Sequence, residues 1–348
     1  MKPSKIKPAL RHLLNQKRAT FLWGAPGVGK SDLVREVAAE DDREVRDVRL
    51  STMDVVDIRG FPVPNLETKV MEWLVANFLP PMLVPGKTKG KLVPNESRGV
   101  LFLDEMNSAA PAVQAAGYQL VLDRKIGDYT LPENWSIIAA GNRTSDRSVV
   151  HAMPAALANR FVHIDFDVDM DDWYAWATRN GISDITRGFI RFRPNLLHSF
   201  DANSNPRAFP SPRSWAFVDN VLNGQLESSI EYELIKGTVG EGAAAEFSAF
   251  ARLAKDLPTV DEILLAPDSA PVPTEPASQY AICTALDSRA TSGTIGRLLT
   301  YVTRLPTEFQ VLFMRSATIA NREIANTKEF IKWVTANQDV LLQAPGQM

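Results

Sequence analysis

One cysteine in 348 residues excludes an internal disulfide, and Cys283 reads as a small buried hydrophobe in a reducing compartment. No apolar run approaches the ~20 residues needed to cross a bilayer. The N-terminal stretch opens with charge, but Arg11, His12, Gln16, Lys17 and Arg18 interrupt its leucines. A secretory signal is therefore not expected, and a cytoplasmic location is. The four histidines, His12, His151, His163 and His198, are scattered without the spacing of a metal cage, so transition-metal catalysis has no support. With 38 Lys plus Arg against 41 Asp plus Glu, the formal charge of −3 supplies no net basic field for nucleic acid. There is no internal repeat. A composition of 45% hydrophobic and 23% charged residues suits a soluble chain with room for two domains or one large one.

What is present begins at Gly24. The stretch Gly24-Ala25-Pro26-Gly27-Val28-Gly29-Lys30-Ser31 fits G-x-x-x-x-G-K-[ST], between an apolar strand, Thr20 to Trp23, and an amphipathic helix, Ser31 to Glu40. Leu33, Val34, Val37 and Ala38 form that helix's buried stripe. Glycines let successive backbone N–H groups approach a polyphosphate, and the helix dipole points at the same place. The segment Gly24 to Asp32 is accordingly the expected nucleotide-binding segment. Lys30 is expected on the terminal phosphates and Ser31 on Mg²⁺.

From Ser4 to about Phe166 the pattern alternates helix with apolar strand, which predicts an α/β layer with a mostly parallel sheet. The predicted strands are Phe21–Trp23, Val45–Leu50, Val100–Asp104, Trp135–Ala140 and Val162–Phe166, with the continuously apolar third and fourth at the centre. Prolines interrupt residues 57–99, which read as an insertion. It contains a hairpin within Phe61–Leu74 and a solvated loop, Gly86 to Lys91. A helix from Ser108 and a hairpin across Lys125–Leu131 come next. Beyond Phe166 helices dominate. The division expected is an α/β core over 1–166, a helical lid over 167–257, a proline-rich linker over 258–281 and a helical module over 282–348.

An apolar strand ending in Asp104 and Glu105 is the second phosphate-site signature. Adjacent strand residues face opposite ways, which allows the two acids different tasks. Asp104 is expected to hold Mg²⁺ with Ser31, and Glu105 to polarise the attacking water as general base.

Taken together, the phosphate loop, Leu103 to Asn107, Ala140-Gly141-Asn142, Leu157 to Phe161 and Ser211-Pro212-Arg213 resemble the MoxR-type AAA+ ATPases, from about Pro8 to Asn223. The resemblance implies the AAA+ P-loop NTPase fold, with Asn142 as sensor 1 and Arg213 as sensor 2. It also implies Arg160 as an arginine finger delivered to a neighbouring subunit, with Arg143 and Arg147 as competitors for that role. Asn159 stands where an aspartate commonly precedes the finger, and Ser108 where an arginine is common after the Asp-Glu-x-Asn segment. The Phe61–Leu74 hairpin resembles the helix-2 insert and the Lys125–Leu131 hairpin the pre-sensor-1 insert. A homo-oligomeric ring, typically a hexamer, is implied, with a client or adaptor protein that carries a von Willebrand factor A-like domain. ATP is the nucleotide implied; no guanine-reading Asn-Lys-x-Asp motif is evident. Two other readings stay open. One is a DNA-directed motor, for which Lys87, Lys89 and Lys91 are the basic candidates, without interleaved aromatics. The other is a nucleotide-gated adaptor with little turnover.

Overall fold

The computed structural model describes residues 1–87, 90–143, 146, 151–201 and 206–338. Arg147, Lys89 and the end of the 282–348 module lie outside them. In chain order the first compact unit contains α1 (Pro3–Asn15), β1 (Thr20–Trp23), α2 (Lys30–Glu40), β2 (Glu44–Arg49), α3 (Val55–Arg59), β3 (Phe61–Asn65), β4 (Val70–Leu74), β5 (Leu83–Pro85) and β6 (Leu92–Pro94). It continues with β7 (Gly99–Asp104), α4 (Pro111–Asp123), β8 (Lys125–Ile126), β9 (Tyr129–Thr130), β10 (Trp135–Gly141), α5 (Ala155–Ala158) and β11 (Val162–Asp165).

Five strands pair in parallel in the order β11-β1-β10-β7-β2, so each of the five predicted strands is present to within a residue at its ends. β7 and β10 are buried along their whole lengths because helices cover both faces. Val100, Phe102 and Ile138 pack with Ile6 and Leu10 of α1 and Val34 and Val37 of α2. Leu101, Leu103 and Ile137 join Val113 and Leu120 of α4 on the other face.

Local chemistry explains where the elements depart from expectation. Met106–Ser108 forms a single 3₁₀ turn and α4 starts at Pro111, since proline suits a first helical position. The helix therefore does not start at Ser108. Within the insertion, β3 and β4 pair as expected from Phe61↔Leu74 to Asn65↔Val70. Gly60 closes the base of this hairpin at φ +88, where an added Cβ would meet the Leu74 carbonyl oxygen at 2.1 Å. β5 and β6 make a second hairpin that the prolines conceal in the sequence, because a two-stranded ribbon has outward N–H positions that proline can occupy. Beyond its paired residues the Gly86 N–H donates to the Lys91 carbonyl at 2.8 Å, and the middle of the predicted Gly86 to Lys91 loop lies outside the described residues.

The second unit starts at Met170. It contains α6 (Met170–Arg179), α7 (Asp184–Phe192), α8 (Pro212–Leu222), α9 (Ser228–Val239), α10 (Glu241–Lys255), α11 (Val260–Leu265), α12 (Pro276–Asp287), α13 (Ile295–Val302), α14 (Thr307–Ala320) and α15 (Lys328–Ala336). Phe189, Trp215, Phe247 and Phe250 cluster at centroid distances of 5.2 to 5.7 Å. Residues 258–281 are not an extended linker. Ile263 and Ala270 are buried with Ile282, Leu298 and Phe313, and Pro276 opens α12 at its first turn. Composition registers the prolines there but not the apolar residues between them. Helices on either side of this stretch meet at Asp287 of α12, which accepts from the Tyr174 hydroxyl of α6 and pairs with Arg187 of α7 at 3.2 Å. Burial pushes the Asp287 carboxyl above its ordinary range, and Arg187 opposes that shift.

Gly99 sits opposite Trp135, whose ring atoms would lie 2.5 Å from an added Cβ. Gly99→Ala is expected to destabilise the fold by about 1–3 kcal/mol through overpacking. A chemical denaturation midpoint equal to that of the unaltered protein would contradict this packing.

Candidate active site

The predicted phosphate loop joins β1 to α2. Gly27 and Gly29 adopt φ +76 and +97, a region that side-chain-bearing residues enter at a cost. Val28 points into the core below, which leaves the backbone of the loop uppermost. No side chain caps α2, so its first-turn amides remain for an anion. The Asp32 carboxylate is in an ion pair with Arg35 at 3.2 Å, which leaves its backbone as the part of this residue that serves the expected binding segment.

Sheet order brings the remaining predicted residues to this loop. β10 lies between β1 and β7, so Asn142, just past its end, emerges between the loop and the carboxylates. Lys30 Nζ donates to the Gly24 and Ala25 carbonyls at 2.6 and 3.0 Å and to Asn142 Oδ1 at 3.2 Å. The Ser31 hydroxyl donates to Asp104 Oδ2 at 2.9 Å. Asp104 is buried, and its Oδ1 accepts from the Glu105 N–H at 2.9 Å. These two oxygen ligands fit Mg²⁺, which is ordinarily held by few protein oxygens and retains waters.

Glu105 is separated from Asp104 by a different device from strand alternation. The strand ends at Asp104, and Glu105 takes a left-handed conformation at φ +54, a strained state for a residue with a Cβ. Its carboxylate accepts from the Ser51 hydroxyl and lies 3.8 Å from Arg49 Nε. Arg49 ends β2, which the register sets beside Asp104, and Ser51 lies in the 3₁₀ turn that follows it.

Sequence reasoning missed several supporting residues. The Asn107 side chain donates to the Asn142 carbonyl at 2.7 Å and is buried against Gly141. A Cβ on Gly141 would fall 2.1 Å from Asn107 Oδ1. Near the predicted finger, Phe161 packs edge-on against Phe21 at 5.4 Å. His163 Nδ1 accepts from Trp23 Nε1 at 2.9 Å while its Nε2 lies 2.9 Å from the Ala158 carbonyl, a neutral Nε2–H tautomer assigned from these partners. Arg160 is thereby held beside β11, exposed and without a side-chain partner among the described residues. Arg143 is engaged instead, 3.3 Å from Asp165 and donating to Asp167 and the Phe166 carbonyl, each at 3.1 Å. Asp167 is lowered by hydrogen bonds from the N-terminal amine first and from Arg143. Arg213 belongs to the second unit. It is exposed at the second position of α8, whose N-cap Ser211 accepts from the Ser214 N–H at 3.1 Å.

Residues 20–168 match the family described as ATPase family associated with various cellular activities (AAA). The α/β unit therefore has the AAA+ P-loop fold. A search of curated proteins found no match. Among solved structures, the Holliday junction branch migration motor RuvB of Thermotoga maritima is 15% identical with a TM-score of 0.37, over 72% of this chain and 73% of that one. NtrX from Brucella abortus, in complex with ADP, is also 15% identical with a TM-score of 0.35, over 97% and 67%. At these values neither likeness carries an argument about activity. Among the described residues no helix is long and apolar enough to cross a membrane.

Lys30→Ala is expected to weaken nucleotide binding by about 10- to 100-fold, the scale of charge-assisted hydrogen bonds. Titration with a fluorescent ATP analogue measures it, and unchanged affinity would refute the loop assignment. Ser51→Ala is expected to leave that affinity unchanged while lowering turnover, because the Ser51 hydroxyl's hydrogen bond goes to Glu105 and not to the loop.

Proposed function

We propose that this chain is a MoxR-type AAA+ ATPase which assembles as a ring, typically a hexamer, and couples ATP hydrolysis to remodelling or maturation of a partner protein. The observation carrying this reading is the convergence of Lys30 with Asn142 and of Ser31 with Asp104, while Arg160 stays exposed and without a side-chain partner among the described residues.

Bound Mg²⁺ supplies charge neutralisation on the terminal phosphate oxygens. Lys30 exchanges its carbonyl partners for those oxygens and keeps Asn142 close enough to orient a water. Glu105 turns from Ser51 toward that water and accepts its proton. Arg160 acts on the site of the adjoining subunit, a role favoured over Arg143 because the latter is tied to Asp165 and Asp167. Arg213 contacts phosphate in its own subunit as sensor 2. The Phe61–Leu74 hairpin supports the helix-2-insert reading, since Phe61, Leu66, Met71 and Leu74 are all more than half exposed. Such a ribbon suits contact with a protein client or a von Willebrand factor A-like partner in the cytoplasm.

Steady-state ATP turnover and solution mass of the unaltered protein, Glu105→Gln and Arg160→Ala test the reading. Glu105→Gln is expected to bind ATP, assemble and stall. Arg160→Ala is expected to lose ~10³ to 10⁵ in turnover and to depress the unaltered subunits when mixed with them. A monomer that hydrolyses ATP equally well without Arg160 would sink the shared-site mechanism.

A further inference from the structure

Arg160 stands on a turn that has little of its own to hold it. α5, which leads into the turn, is four residues long, too short to be stable by itself, and no side chain caps it. Leu157 and Phe161 are buried on either side, whereas Asn159 and Arg160 are exposed and make no side-chain hydrogen bond among the described residues. The last carbonyl of α5, at Ala158, is one of the helix-end acceptors left without an intrahelical partner. It accepts from the Phe161 N–H at 3.2 Å, and His163 Nε2 lies 2.9 Å from it.

His163 is an exposed residue of β11, the edge strand, where water can satisfy both ring nitrogens. Protein groups take them instead. The indole of Trp23 can only donate, so Nδ1 accepts from it at 2.9 Å, and the ring proton stands on Nε2, which donates to the Ala158 carbonyl. Three rings surround the imidazole: Phe21, Trp23 and Phe161, with centroids at 6.1, 6.0 and 6.2 Å. Trp23 in turn stacks on the buried Phe21 at 4.1 Å. It is the last residue of β1 and directly precedes Gly24 of the phosphate loop. Two hydrogen bonds through one imidazole therefore run from the rigid strand beneath the phosphate loop to the turn that carries Arg160.

We propose that His163 is a positioning residue for Arg160: its Nε2–H holds the Ala158 carbonyl, and with it the turn from which Arg160 reaches the adjoining subunit's nucleotide, while Trp23 fixes the imidazole. The proposal rests on the reading of Arg160 as a trans-acting finger. A group that stabilises a transition state tolerates little misplacement, about 1 Å costing on the order of 100-fold, so an anchor of this turn bears on turnover without touching a phosphate.

The test separates giving a finger from receiving one. Glu105→Gln subunits keep Arg160 but do not turn over, and Arg160→Ala subunits keep a complete site but give no finger, so a mixture of the two full-length chains regains turnover at their shared interfaces. With His163→Phe added to the Glu105→Gln subunit, the regained kcat is expected to fall about 10- to 100-fold while KM for ATP stays unchanged. The same change placed on the Arg160→Ala subunit is expected to cost about tenfold less. His163→Gln, whose amide nitrogen reproduces the Nε2–H donor, is expected to restore most of the kcat lost in His163→Phe, and His163→Asn, which keeps only the acceptor toward Trp23, is not. Equal losses on either subunit, or a glutamine variant no better than phenylalanine, would overturn the proposal, because His163 would then support the fold or its own phosphate loop. If the parent mixture regains no turnover, it is the trans-acting role of Arg160 that fails, and the positioning role falls with it.

Discussion

Parallel pairing of β10 with β1 on one side and β7 on the other is the constraint on which the α/β unit turns. It sets Trp23 beside Gly141 and Leu103 beside Ala139, so three chain segments distant in sequence end at one place. The phosphate loop, Asn142 and the Asp104–Glu105 pair stand at the carboxyl ends of these three strands. Close approach is enforced by a side chain: Asn107 fills the space over Gly141 and ties the chain after β7 to the chain after β10.

Around that constraint the cationic and anionic groups are held by protein partners. Lys30 is satisfied by two carbonyls and Asn142, and Ser31 by Asp104. Among these groups Glu105 combines a strained backbone with a solvent-reachable carboxylate held by the Ser51 hydroxyl and the nearby Arg49. The left-handed turn at Glu105 stands directly on the rigid, fully buried strand β7.

The helical unit rests on a different physical device. Its aromatic cluster supplies apolar burial, while Tyr174, Arg187 and Asp287 form a buried polar junction between α6, α7 and α12. A buried charge keeps its place only with its partners, so this junction restricts how those helices can pack.

The motif order, the five strands, the Phe61–Leu74 hairpin and the helix after Gly29 were legible in the sequence because each depends on local chemistry. Strand burial shows as an apolar run, and a phosphate loop shows as glycines at fixed spacing before a helix. The second hairpin of the insertion was concealed because proline marks a break without revealing whether the N–H it removes was needed. Residues 258–281 were misread for a related reason, since Ile263 and Ala270 gain their meaning from a core formed with helices further along the chain. Ser51 against Glu105, Asn107 against Asn142 and His163 against Trp23 had no sequence signal at all. Their pairing depends on sheet order and on the turns that end the strands. By itself the sequence determined which segments form strands, helices and a phosphate loop. Only the tertiary structure decided which side chains meet, because side-chain contacts over long separations are set by packing and register, not by the residues on either side.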